Sequence, residues 1–71
     1  MPGKPTFGSF IRAARKKQKF RIRNVAARLD VSDAAVYRWE IDSRRPNDRN
    51  LTALCEMLQL PIEEMRKMAA E

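Results

Sequence analysis

The stretch IRNVAARLDVSDAAVYRWE, residues 22–40, decides the fold. In its first eight residues Val25, Ala26 and Leu29 share one face of a short helix. Asp30-Val31-Ser32 then breaks that helix: Asp30 accepts a left-handed backbone, Val31 is apolar, and Ser32 is a good N-cap. A second short helix follows from Asp33 to Glu40, with Asp33 in its first turn to suit the helix dipole. Val36 and Trp39, three apart, mark its buried side, while Ala34, Tyr37 and Arg38 point the opposite way and Asp33 sits at the margin. Two short helices around a three-residue turn cross steeply, and such a pair can lay its second helix in a DNA major groove. The groove-facing edge is then Asp33, Ala34, Tyr37 and Arg38. Small Ala34 lets the backbone approach, and the Arg38 fork matches guanine O6 and N7.

Outward from this unit the chain reads as helix throughout. Met1 to Pro5, with two prolines and a glycine, reads as a flexible arm, and residues 6–71 as one domain. Thr6 is placed to cap a helix over about 7–18, whose apolar stripe is Phe7, Phe10, Ile11 and Ala14. Arg12, Arg15, Lys16, Lys17 and Lys19 fill its other faces and crowd its last turn, where the dipole favours cations. After Pro46, either Asn47 or Asp48 can cap a fourth helix with Leu51, Leu54, Cys55 and Leu58 inward. Pro61 suits the first turn of a fifth, roughly 61–70, with Ile62, Met65 and Met68 along one side. The pattern predicts an all-α, five-helix domain with a central helix-turn-helix. Phe10, Ile11, Val25, Leu29, Val36, Trp39, Leu51, Leu54 and Leu58 supply its core. Ile62, Met65 and Met68 are surplus to that core and read either as a dimer contact or as a lid on the monomer.

Composition narrows the function. A chain of 71 residues buries only about 60% of its unfolded surface, which leaves one core and no room for a pocketed enzyme beside it. It has no histidine, one cysteine, no glycine-rich phosphate loop and no Cys/His cluster, so the expectation is no enzyme, no metal and no cofactor. Cys55 reads as a small buried hydrophobe in a reducing cytoplasm. No apolar run is long enough for a membrane span, and the N-terminus lacks the apolar segment of a signal peptide. The net charge of +6 is one-sided: residues 1–28 hold nine Lys or Arg and no acid, while residues 29–71 hold six bases against nine acids. Such asymmetry implies a face for polyanions, nucleic acid first and anionic membrane second.

The run from Ile11 to Met65 resembles the lambda-repressor/Cro-type helix-turn-helix family. The matching residues are Ile11-Arg12 with Arg15, then Val25-Ala26, Val31-Ser32, and Val36 with Arg38-Trp39-Glu40. Pro46 follows at the usual distance, and Leu51, Leu54, Leu58 and Leu60 continue the pattern. The resemblance implies an ion pair between Arg15 and Glu40, with Arg15 also touching a phosphate. It implies base contacts from positions 33, 34 and 38. Phosphate contacts would come from the start of the second helix and from the loop carrying Arg44 and Arg45. Three departures from the family stand out. Arg21 and Ile22 stand where a capping Ser or Thr and a phosphate-gripping Gln are usual. Arg21 and Arg23 can replace that contact by charge, but the cap is lost. Asp42 replaces a glycine and is costlier at positive φ. Asp33 replaces a Gln or Arg, and either accepts from cytosine N4 or deters binding.

The sequence thus predicts a sequence-specific double-stranded DNA-binding transcriptional regulator in the cytoplasm, a repressor, acting as a homodimer on a palindromic operator. Bases would be read by Asp33, Ala34, Tyr37 and Arg38, and phosphates held by Arg15, Arg21, Arg23, Ser32, Arg44 and Arg45. The alternative is a protein-interaction module on the same fold, an antiactivator or antitoxin with a protein partner.

Overall fold

The computed structural model describes residues 5–70, so Met1 to Lys4 of the expected arm and Glu71 lie outside the described residues. Five helices follow one another: α1 Phe7–Lys17, α2 Ile22–Leu29, α3 Asp33–Glu40, α4 Asp48–Leu58 and α5 Ile62–Ala70. No strand occurs among the described residues. Local chemistry sets the starts. Thr6 accepts from the Ser9 N–H while Ser9 Oγ accepts from the Thr6 N–H, Ser32 caps α3 through the Ala35 N–H, and Asn47, not Asp48, caps α4 through the Asn50 N–H. At α2 the expected loss of a cap is half made good: Arg21 has no acceptor to offer, but Asn24 Oδ1 accepts from the Arg21 N–H at 2.7 Å.

The stops share a device. Lys19, Asp30, Asp42 and Gln59 all sit at positive φ, between 57° and 63°, and turn the chain sharply at the ends of α1, α2, α3 and α4. Behind each turn a backbone N–H reaches back across the last helical turn, as from Phe20 to the Arg15 carbonyl and from Val31 to the Ala26 carbonyl. Asp30 and Asp42 were expected there. Lys19 and Gln59 carry no such signal in the sequence, and each bears the steric cost that glycine would avoid.

The core joins all five helices: Phe7 and Ile11 from α1, Val25, Ala26 and Leu29 from α2, Val36 and Trp39 from α3, Leu51, Leu54, Cys55 and Leu58 from α4, and Met65 from α5. Cys55 is the buried hydrophobe expected of it, and burial pushes its thiol pKa up, with Arg66 pulling weakly the other way. One expectation fails here: Phe10 is 40% exposed while Phe7 is 1% exposed. Met65, left open between a dimer contact and a lid, is 2% exposed and belongs to the core. The exchange of Phe7 for Phe10 traces to the contact with α3. A Cβ on Gly8 would run into the carbonyl oxygens of Trp39 and Glu40, so the missing side chain lets α3 lie directly on α1. That contact turns α1 so that Phe7, Gly8, Ile11 and Arg15 are buried, and Phe10 swings toward α5. Met65 of α5 is needed to close the core.

Candidate nucleic-acid interface

The posture of α3 is set by a polar seam with α1. Arg15 Nε donates to Glu40 Oε2 at 2.6 Å and Nη2 donates to Oε1 at 3.1 Å, a two-pronged pair with side chains 11% and 4% exposed. Arg15 Nη1 donates to the Phe20 carbonyl at 2.9 Å, which ties the α1–α2 turn to the same point. No buried side-chain polar atom among the described residues lacks a partner. A second knot holds the end of α3. The Asp42 carboxylate accepts from the Thr6 hydroxyl at 2.6 Å, from the Gly8 N–H at 2.9 Å and from Arg45 Nη1 at 3.0 Å. Partial burial works to raise its pKa, but these three donors outweigh it and hold the carboxyl below its ordinary value.

Arg45 belongs to this knot. Expected on phosphate, its guanidinium instead lies 5.0 Å from the centre of the Phe7 ring, and its Nε donates to the Ala69 carbonyl at 3.3 Å. It clamps α1, the loop before α4 and α5 together. Its neighbour Arg44 makes no ion pair among the described residues.

With α3 held this way, Asp33, Ala34, Tyr37 and Arg38 are all exposed, while Val36, Trp39 and Glu40 are buried. The face is flanked on both sides. On one side Tyr37 shares a cleft of about 300 Å³ with Arg12, Ile22 and Ile41, floored by the Arg15–Glu40 pair. On the other, Arg38 lines a cleft of about 340 Å³ with Val31, Arg44, Asn47 and Asn50. Arg21 and Arg23, exposed at the start of α2, and exposed Ser32 at the start of α3 complete the set. Of these cations only Arg15 and Arg45 have acidic partners among the described residues. A projecting helix with cations on either side that have no acidic partner among the described residues is a surface suited to a polyanion.

Sequence reasoning missed Ile41, Arg12, Asn47 and Asn50 on this surface. Ile41 lies on the same helical wheel, one position past Glu40 as the C-cap of α3. The others depend on how α1 and α4 pack beside α3. The expected dimer contacts separate. Met65 is core, Ile62 is half-buried against the core, and Met68 lines an apolar groove of about 410 Å³ with Phe10, Leu60 and Pro61. Glu64 and Lys67 stand on its rim.

Comparison with known proteins agrees with this geometry. The family model described as helix-turn-helix matches residues 11–65. No curated protein matches the chain. Among solved structures, the crystal structure of the P22 c2 repressor with synthetic operator 9T is 35% identical, with a TM-score of 0.81, covering 87% of this chain and 94% of that one. The solution structure of the DNA-binding domain of the P22 c2 repressor is 36% identical, with a TM-score of 0.79, covering 94% of this chain and 87% of that one. With the family model spanning the core of the domain and these likenesses running over nearly its whole length, the chain belongs to the lambda-repressor-like helix-turn-helix family.

Proposed function

We propose that this protein is a sequence-specific double-stranded DNA-binding transcriptional regulator of the repressor type that reads the major groove with α3. The observation that carries the reading is the exposed α3 face flanked on both sides by cations with no acidic partner among the described residues. A relative of this fold bound to its synthetic operator supports it. Arg38 is the strongest base reader, with guanine O6 and N7 as its match. Ala34 lets the helix seat deeply. Asp33, at the first turn, accepts from cytosine N4 and rejects bases that offer only acceptors there. Arg21, Arg23, Arg44 and the Ser32 hydroxyl hold phosphates, as do the two Arg15 N–H groups, one on each Nη, that Glu40 and Phe20 leave over. Arg45 serves the fold first.

One such module makes few contacts, so the working unit is a two-fold dimer on a palindromic operator with half-sites about 10 bp apart or a multiple of that. Met68 and Phe10 supply its apolar contact, and Glu64 and Lys67 of one copy face the opposite charges of the other. Such a regulator works in the cytoplasm, with the DNA it controls.

The test is a pair of variants on a site selected from a random duplex pool. Arg38→Ala costs roughly 1–3 kcal/mol on that site and relaxes preference at one base pair. Arg44→Ala weakens all sequences alike and lowers the salt slope by about one. An Arg38→Ala loss equal on selected and random duplexes would remove its role as a reader.

A further inference from the structure

The recognition face is more apolar than its charged neighbours suggest. Tyr37 is 54% exposed and Ile41 51% exposed, the two most exposed large hydrophobic side chains among the described residues. Ile41 is the C-cap of α3 with near-helical backbone (φ −97°, ψ 11°), so it continues the helix by one position. Around the exposed arc, at 3.6 residues per turn, the order is Asp33, Tyr37, Ile41, Ala34, Arg38. The two charged residues stand at its edges and the middle is apolar. Half-buried Ile22, at the start of α2, lines the same cleft as Tyr37 and Ile41. In the Arg15–Glu40 pair below them every buried polar atom already has a protein partner.

In a major groove the apolar group offered at a base edge is the thymine 5-methyl; the other edge groups are hydrogen-bond donors and acceptors. An isoleucine pressed on those strips their water and returns no bond, which costs free energy. Pressed on a methyl, it gains the burial of both. The same surface therefore attracts thymine and disfavours G·C. Building on the DNA reading above, we propose that Tyr37 and Ile41, backed by Ile22, form an apolar reader of thymine 5-methyl groups within each half-site. Arg12, at the rim of the cleft, meets the phosphate beside it.

Replacing thymine by deoxyuridine removes the methyl and leaves every hydrogen-bonding group in place. In the selected duplex each thymine is exchanged for deoxyuridine in turn, and affinity is measured at fixed salt for the wild type, Ile41→Ala, Tyr37→Ala and Arg38→Ala. The expected result is a loss of about fourfold for the wild type at one or two positions per half-site, the worth of one buried methyl. Ile41→Ala or Tyr37→Ala abolishes that loss at those positions, and Arg38→Ala retains it. Both residues are exposed, so circular dichroism of the variants stays that of the wild type. Selected sites without thymine, a wild type indifferent to every exchange, or an Ile41→Ala and Tyr37→Ala pair with undiminished sensitivity would overturn the proposal while leaving DNA binding intact. A chain that binds no duplex at all would remove the proposal and its foundation together.

Discussion

The first helix presents two opposite surfaces. Toward α3, Gly8 brings the backbones together and Arg15 is paired by three hydrogen bonds, two to Glu40 and one to the Phe20 carbonyl. Toward α5, Phe10 stands 40% exposed over an apolar groove shared with Met68. The first surface is closed and specific, because a buried charge tolerates no loose partner. The second is open and generic, since methionine and phenylalanine accept many shapes. The polar seam fixes where α3 points, and the apolar groove leaves Phe10 and Met68 partly open to solvent.

Breaking the seam should cost the most. Removing Arg15 or Glu40 alone strands the other charge at a buried site and should destabilise by about 3–5 kcal/mol. Replacing both should cost clearly less than the sum. A double-mutant cycle on urea unfolding checks this, and additive losses would dissolve the pair.

Gly8→Ala attacks the same seam without touching a charge. Its Cβ meets main-chain oxygens of α3, which cannot rotate away, so a loss of roughly 2–3 kcal/mol is expected. Thermal unfolding measures it. A stability equal to wild type would mean that the helices are not in contact there.

Asp42 sharpens the comparison through pH. Its carboxyl pKa is lowered from the ordinary 3.8 because the Thr6, Gly8 and Arg45 donors overcome partial burial. A depressed folded pKa contributes stability that is complete above the unfolded value and is lost as pH falls through the folded one. Asp42→Asn keeps a side chain that tolerates positive φ but removes the charge, at a cost of about 1 kcal/mol at pH 7. The gap between wild type and variant should close as pH falls below about 3.8. A gap independent of pH would assign the loss to shape rather than charge.

These elements also divide what the sequence discloses from what it hides. Thr6, Ser32, Asp30 and the apolar spacing of α2, α3 and α4 act within one helical turn, so the helices and the turn at residues 30–32 are legible from local pattern. The exposed edge Asp33, Ala34, Tyr37 and Arg38 follows from the same periodicity. The choice between Phe7 and Phe10 is not local. It depends on Gly8 meeting α3, a contact made 32 residues away along the chain, between Gly8 and Glu40. Arg45 likewise looks identical to Arg44 until Asp42, Phe7 and Ala69 are brought around it. Met65 looks surplus in the sequence because the size of the core that α5 must close is set by packing.

On the open surface, Met68→Glu should leave helicity and unfolding of the monomer nearly unchanged, since Met68 is only half-buried. It should lower the sedimentation-derived mass at high concentration and weaken operator binding. A wild type that sediments as a monomer both alone and on a full palindromic site would assign the groove to the monomer.

The central claim is that the α3 face, held by the seam, reads duplex DNA. Its most direct test is the wild-type affinity for a selected duplex and for a random duplex across a salt series. Both affinities should fall steeply with salt, because Arg21, Arg23 and Arg44 displace counterions. The selected site should stay tighter by roughly 10³ or more, the margin supplied by α3. A flat salt response, or no preference between the two duplexes, would contradict the account and turn the same surface toward a protein partner.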